Sequence, residues 1–160
     1  MLKFFQIKRT NIVIFITSLI AISVSVFAEK FLNKQPCQLC LMTRVSYITI
    51  ALLSCILFIY NIAIIRWILF YVILILLIFS FYHLGVENHW WMGPESCVAK
   101  LPSLNDIPQT TQFDVVYCDQ VNLRIFGVSS TVWNFLLIAG LFWLSSTSNI
   151  LNCYIKQHDE

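Results

Sequence analysis

The sequence predicts an all-α integral membrane protein, a bundle of four transmembrane helices with two loops on the periplasmic face. Three observations lead there. The chain is 160 residues long, 59% hydrophobic and only 11% charged, and its mean hydropathy of +0.79 lies far above that of a water-soluble domain. Its apolar residues fall in runs long enough to cross hydrocarbon, separated by short polar stretches and one long one. Four of its six cysteines then land on one face, opposite a positively charged N-terminus. The net charge of +2 is small and dispersed, with no basic run, so nucleic-acid binding is excluded.

A helix needs about 20 mostly apolar residues to cross roughly 30 Å of hydrocarbon. The first such window runs over about 11–28. The apolar run from Leu41 to Tyr82 is too long for one crossing, and Asn61 and Arg66 are its strongly polar breaks beyond Arg44. It therefore divides into spans of about 41–60 and 67–86, joined by a tight turn. The last span covers about 128–144, with Ser129 or Ser130 able to cap its first turn. The loops on the far face are then about 29–40 and 87–127, and the whole of 1–160 is one membrane domain. Trp90 and Trp91 fall where span three leaves the lipid, the usual place of aromatic anchors.

Lys3, Lys8 and Arg9 precede the first span and place both termini in the cytoplasm. Lys8, Arg9, the apolar stretch and Val26-Phe27-Ala28 also imitate a secretory signal. The apolar stretch, at about 17 residues, exceeds the usual signal core, so it is expected to remain as a span.

Cys37 and Cys40 lie in the first loop and Cys97 and Cys118 in the long one. Two crossings separate the pairs, so all four share a compartment, and an even set there fits an oxidising one. Sequence alone leaves their three possible pairings open. Cys55, inside span two, and Cys153, in the tail, are expected to be bystanders. A Cys97–Cys118 bridge could serve as a staple, closing a loop of about 20 residues for roughly 3 kcal/mol. A bridge between Cys37 and Cys40 constrains almost nothing and is readily reduced, which suits electron exchange. Zinc is disfavoured, because the second pair is widely spaced and His83 and His89 offer no matching spacing. No metal is expected.

Pro36 is placed to start span two with both cysteines in its first turns, where unpaired N–H groups stabilise a thiolate. Arg44 follows Cys40 by four residues and so sits one turn deeper on the same face. An arginine at the hydrocarbon edge either snorkels to the headgroups or meets an anion. Beside a thiol pair, the anion to expect is negative charge developing on a lipid-soluble acceptor, for which a quinone is the obvious candidate. His83 and Glu87, one turn apart near the exit of span three, are further candidates for that pocket.

These residues resemble the DsbB family of quinone-dependent thiol oxidases. The likeness lies in Pro36-Cys37-x-Leu39-Cys40-x-x-x-Arg44, in the two later loop cysteines, and in the stretch from Cys118 through Phe126-Gly127 to Trp133-Asn134. The segment His83 to Cys97 is similar to one branch of that family. The resemblance implies a bacterial inner-membrane enzyme that reoxidises a periplasmic, thioredoxin-like DsbA partner and passes electrons to ubiquinone or menaquinone. It further implies catalytic roles for Cys37, Cys40, Cys97 and Cys118. The partner would attack a Cys97–Cys118 disulfide at Cys97, Cys118 would exchange with Cys37, and Cys40 would be left facing the quinone. Arg44, His83 and Glu87 are the expected cofactor-binding residues. Asp119 departs from an ideal arrangement, since its charge opposes a thiolate at Cys118 unless Lys100 or Arg124 offsets it.

Two rivals remain at this stage. A vitamin K epoxide reductase-like protein also joins four helices to C-x-x-C, although usually late in the chain. A non-enzymatic scaffold would use its loop cysteines only as structural bridges.

Overall fold

The computed structural model describes residues 2–32, 36–60, 62–94, 118 and 123–158, with the side chains of 2–7 and 154–158 aside. Four helices carry the chain: α1 (Leu2–Phe31), α2 (Gln38–Tyr60), α3 (Ala63–Glu87) and α4 (Ser130–His158), with a hairpin of β1 (Arg124–Ile125) and β2 (Val128–Ser129) just before α4. Each helix is long and apolar enough to cross a membrane. They pack as a ring, α1 on α2, α2 on α3, α3 on α4 and α4 back on α1. Ile14, Ile50, Leu69, Ile73, Ile138 and Leu141 fill the centre, while rings and branched chains such as Ile20, Tyr60, Ile64 and Trp143 point outward. Outward apolar residues are what a lipid-facing surface requires.

The helices outrun the hydropathy windows for a physical reason. α4 continues past 144 through Ser145, Ser148 and Asn149, all buried. A polar stripe turned inward lowers mean hydropathy without ending a helix. Cys153, expected in a tail, consequently belongs to α4 and is exposed. Cys55 likewise faces outward from α2. α3 begins at Ala63, so Arg66 lies inside its first turn rather than in a loop, buried with Nη1 3.4 Å from Ser148 Oγ of α4.

Polar side chains also cross-link the middle. Tyr47 donates its hydroxyl to Asn134 Oδ1 at 2.8 Å, and Asn134 Nδ2 donates to Ser80 Oγ at 3.2 Å, joining α2, α4 and α3. In hydrocarbon such groups must find partners within the protein.

Both ends of the long connection are shaped locally. α3 closes with Trp90 N–H donating to Gly85 O at 2.9 Å and His89 N–H to Val86 O at 3.1 Å. This is a Schellman closure with His89 at φ 57 in the left-handed position that glycine usually fills. Trp91 then folds back, donating Nε1 to Tyr82 O at 2.9 Å and stacking on the Tyr82 ring. It lies so close to Gly85 that an added Cβ would come within 2.0 Å of the indole. Trp91 is thus packed on its own helix as well as placed at the exit. At the other end, Phe126 (φ 53) and Gly127 (φ 80) form the two-residue turn of the hairpin, a geometry that needs positive φ at both positions. Ser129 Oγ accepts Thr131 N–H at 3.1 Å and caps α4.

Candidate active site

Pro36 and Cys37 precede α2 rather than lying in it, and Cys37 occupies the capping position. Its carbonyl accepts Leu41 N–H at 3.1 Å and its sulfur accepts Cys40 N–H at 3.4 Å. The sulfur therefore satisfies an amide that the first turn leaves without a helical partner. Cys37 Sγ and Cys40 Sγ stand 3.0 Å apart with the Cys37 thiol donating. The Cys37 thiol is pushed up to about 12, first by that hydrogen bond and then by burial, with His83 pulling the other way. Cys37 accordingly keeps its proton, and the geometry directs negative charge to Cys40, inside the first turn where helix N–H groups favour a thiolate.

Two partners come from distant parts of the chain. Cys118 is buried and packs in one cluster with Cys37, Leu39 and Val86, with Cys40, Phe79 and Tyr82 against it. His83 of α3, also buried, brings Nε2 to 3.7 Å from Cys37 Sγ. Among the described residues, the ligand-type atoms of Cys37, Cys40 and His83 all fall within 4.8 Å of one another. The sequence spacing gave no sign of this, because the helix hairpin makes the match. Cys97, Lys100 and Asp119 lie outside the described residues.

Cys40 opens onto a cavity of about 280 Å³ whose wall includes Arg44, Tyr47, His83, Thr131 and Asn134, with apolar residues of α1 and α4 completing it. Arg44 neither snorkels alone nor lacks an anion. Its Nη1 lies 2.7 Å from Glu29 Oε2, and its Nε and Nη2 donate to Ser25 Oγ at 3.2 and 2.9 Å. Glu29 is the partner that sequence reasoning missed. It is the sole acidic residue ahead of Glu87, which was the available signal.

Glu87 sits where α3 meets α4. It is buried and accepts a hydrogen bond from Thr131 Oγ1, tying the end of α3 to the start of α4; Thr131, but not Glu87, lines the cavity. His83 thus stands at Cys37, and Glu87 at the helix junction, bonded to a residue of the cavity wall and near enough to Cys40 to interact with it electrostatically. A larger cavity, about 520 Å³, lies between α2 and α3, lined by residues such as Leu39, Val72 and Phe79 with no titratable group. Its polar lining is Gln38 and Ser46.

No curated protein and no solved structure matches the chain. Residues 7–147 match the family described as disulfide bond formation protein DsbB. Four apolar helices, a C-x-x-C at the head of the second, and a third cysteine buried against it accord with that match. The chain is a membrane protein that belongs to the DsbB family, whose work is disulfide bond formation.

Proposed function

We propose that this chain oxidises the dithiol of a DsbA-like thioredoxin-fold partner and delivers the electrons to a membrane quinone. The observation that carries the reading is Cys118 buried against the Cys37 and Cys40 pair at the wall of the Arg44 cavity. Such a position suits thiol exchange between Cys118 and Cys37, the link between the two loops.

The sequence of exchanges balances as follows. The partner's thiolate attacks Cys97 of a Cys97–Cys118 disulfide and releases Cys118 as a thiolate. Cys118 attacks Cys37 of a Cys37–Cys40 disulfide and releases Cys40. The partner's second thiol resolves its mixed disulfide, leaving oxidised partner and a Cys97 thiol. Cys97 then attacks Cys118, restoring the loop disulfide and returning Cys37 as a thiol. Two electrons and two protons now reside on Cys37 and Cys40. Each step is thiolate attack on a disulfide sulfur.

The cavity suits a quinone ring. At about 280 Å³ it lies near the lower limit of small-molecule sites, roughly 300 Å³, enough for one ring whose isoprenoid tail stays in lipid. Arg44 and His83 are donors on its wall, while Tyr47 donates to Asn134 Oδ1 and Asn134 Nδ2 to Ser80 Oγ. A quinone held there would supply the two-electron, two-proton acceptor that re-forms the Cys37–Cys40 bond. Arg44 would hold an oxygen of the ring and favour negative charge on it. His83, beside Cys37, is positioned to take the Cys37 proton. Glu87 has a structural part, fixing α4 against α3 through Thr131. Four apolar spans and this chemistry support a site in a bacterial inner membrane, with the cysteine end in the periplasm and both termini in the cytoplasm.

The test uses the full chain in detergent micelles, a reduced thioredoxin-fold dithiol protein and a short-tailed quinone. Partner thiols and quinone absorbance should fall together, two thiols per quinone. Partner oxidation that ignores quinone, or none at all, rejects the proposal.

A further inference from the structure

The geometry points to a second state of the cysteine pair: in its reduced form, the Cys37, Cys40 and His83 cluster binds a thiophilic divalent cation of the zinc type. Three side chains carry this. Cys37 Sγ and His83 Nε2 are 3.7 Å apart and Cys37 Sγ and Cys40 Sγ 3.0 Å apart, and all three ligand atoms fit within 4.8 Å. Tetrahedral zinc, with bonds of about 2.3 Å to sulfur and 2.0 Å to nitrogen, holds sulfur and nitrogen roughly 3.5 Å apart and two sulfurs roughly 3.8 Å apart. The Cys37–His83 spacing already fits, the sulfurs need to part by about 0.8 Å, and Cys40 Sγ, within 4.8 Å of the imidazole, needs to close on it by roughly 1.3 Å at most.

The surroundings agree. Two thiolates neutralise a divalent charge, so the buried site carries no net charge. Cys40 N–H already donates to Cys37 Sγ, a contact that persists when that sulfur is a thiolate. Two cysteines and one histidine leave a fourth position for water. Hard cations such as magnesium are excluded, because the cluster offers no oxygen donor.

Binding converts two thiols and one cation into two metal thiolates and two protons released to solvent, with no electron transferred. A sulfur committed to the metal cannot re-form the Cys37–Cys40 disulfide. The cation therefore holds the chain in its reduced form until it is removed. The binding stands on the three side chains alone, whereas its effect on turnover rests on the thiol-relay reading above, and the two are measured separately.

Cobalt serves as the probe because its thiolate complexes are coloured. The full chain in micelles is reduced with a phosphine, cleared of reductant and titrated with Co²⁺, followed by competition with Zn²⁺. The expected result is one cobalt per chain with an intense thiolate charge-transfer band, displaced by zinc and lacking in the oxidised chain. His83→Gln should weaken binding by about tenfold or more, and Cys37→Ser should abolish the band. The comparison of oxidised with reduced wild-type chain needs no variant, so a misfolded mutant cannot mask the answer. No band in the reduced chain, or a band indifferent to both substitutions, overturns the site. Cobalt binding with turnover unaffected by zinc overturns the blocking effect while leaving the site.

Discussion

Replacing Arg44 by alanine separates two jobs that one guanidinium performs. It pins α1 to α2 through Glu29 and Ser25, and it faces the cavity beside Cys40. The first job is small. The side chains of Arg44 and Glu29 are 17% and 38% exposed, and with that much solvent screening the ion pair stabilises the fold by about 1 kcal/mol at most. The second is larger, because a hydrogen bond to a charged group in a confined site contributes about 1.5–3 kcal/mol. At roughly 1.4 kcal/mol per tenfold, Arg44→Ala should raise the quinone KM by about 10- to 100-fold while the KM for the thiol partner stays put. Glu29→Gln provides the control, since it removes the ion pair and keeps the cation. It should show the stability loss without the large KM effect. The assay is steady-state quinone reduction by the purified chain, with thermal unfolding in the same micelles. A quinone KM unchanged in Arg44→Ala, with stability lowered as in Glu29→Gln, would falsify the quinone role and leave Arg44 as a brace between helices.

Four further expectations concern the cysteines and the end of α3. Cys37→Ser or Cys40→Ser should abolish turnover, whereas Cys55→Ala and Cys153→Ala, both at outward-facing positions, should leave it nearly intact; the readout is the initial rate of partner oxidation. With its thiol held at about 12 against an ordinary value of 9.0, Cys37 should react with iodoacetamide far more slowly than Cys40 at pH 8, as mass spectrometry of the reduced chain can show. A raised thiol favours the folded, reduced chain below about pH 9, and that contribution fades as pH climbs through 12, so the melting temperature should fall across that window. Gly85→Ala should push Trp91 off its helix and cost about 1–3 kcal/mol through overpacking, visible as a changed tryptophan emission; an unaltered spectrum and melting temperature would contradict the packing described.

The fold was legible because lipid imposes a coarse rule: long apolar runs must be helices, and counting them yields the bundle. Boundaries were less legible wherever polar side chains turn inward. Ser145, Ser148 and Asn149 look like an exit from the membrane in a hydropathy window but line the inner face of α4. Arg66 looks like a turn residue, yet sits buried against Ser148. At the site, the C-x-x-C and Arg44 could be read from local spacing, because their geometry arises within one helix. The approach of His83 to Cys37, across 46 residues, and of Glu29 to Arg44, across 15, depends on how helices pair, which no local pattern encodes. The contact of Glu87 with Thr131 of α4, across 44 residues, depends on the same pairing of helices.

Leu123 is anchored, its carbonyl accepting Ser130 N–H at 3.0 Å beside the capped start of α4. Cys118 precedes it by five residues, a length of chain that can span at most about 17 Å, and its side chain is buried beside Cys37. A thiol so tethered meets Cys37 at an effective concentration in the millimolar range. Under the proposed relay, exchange between Cys118 and Cys37 should therefore be first-order, at a rate indifferent to how many copies share the bilayer.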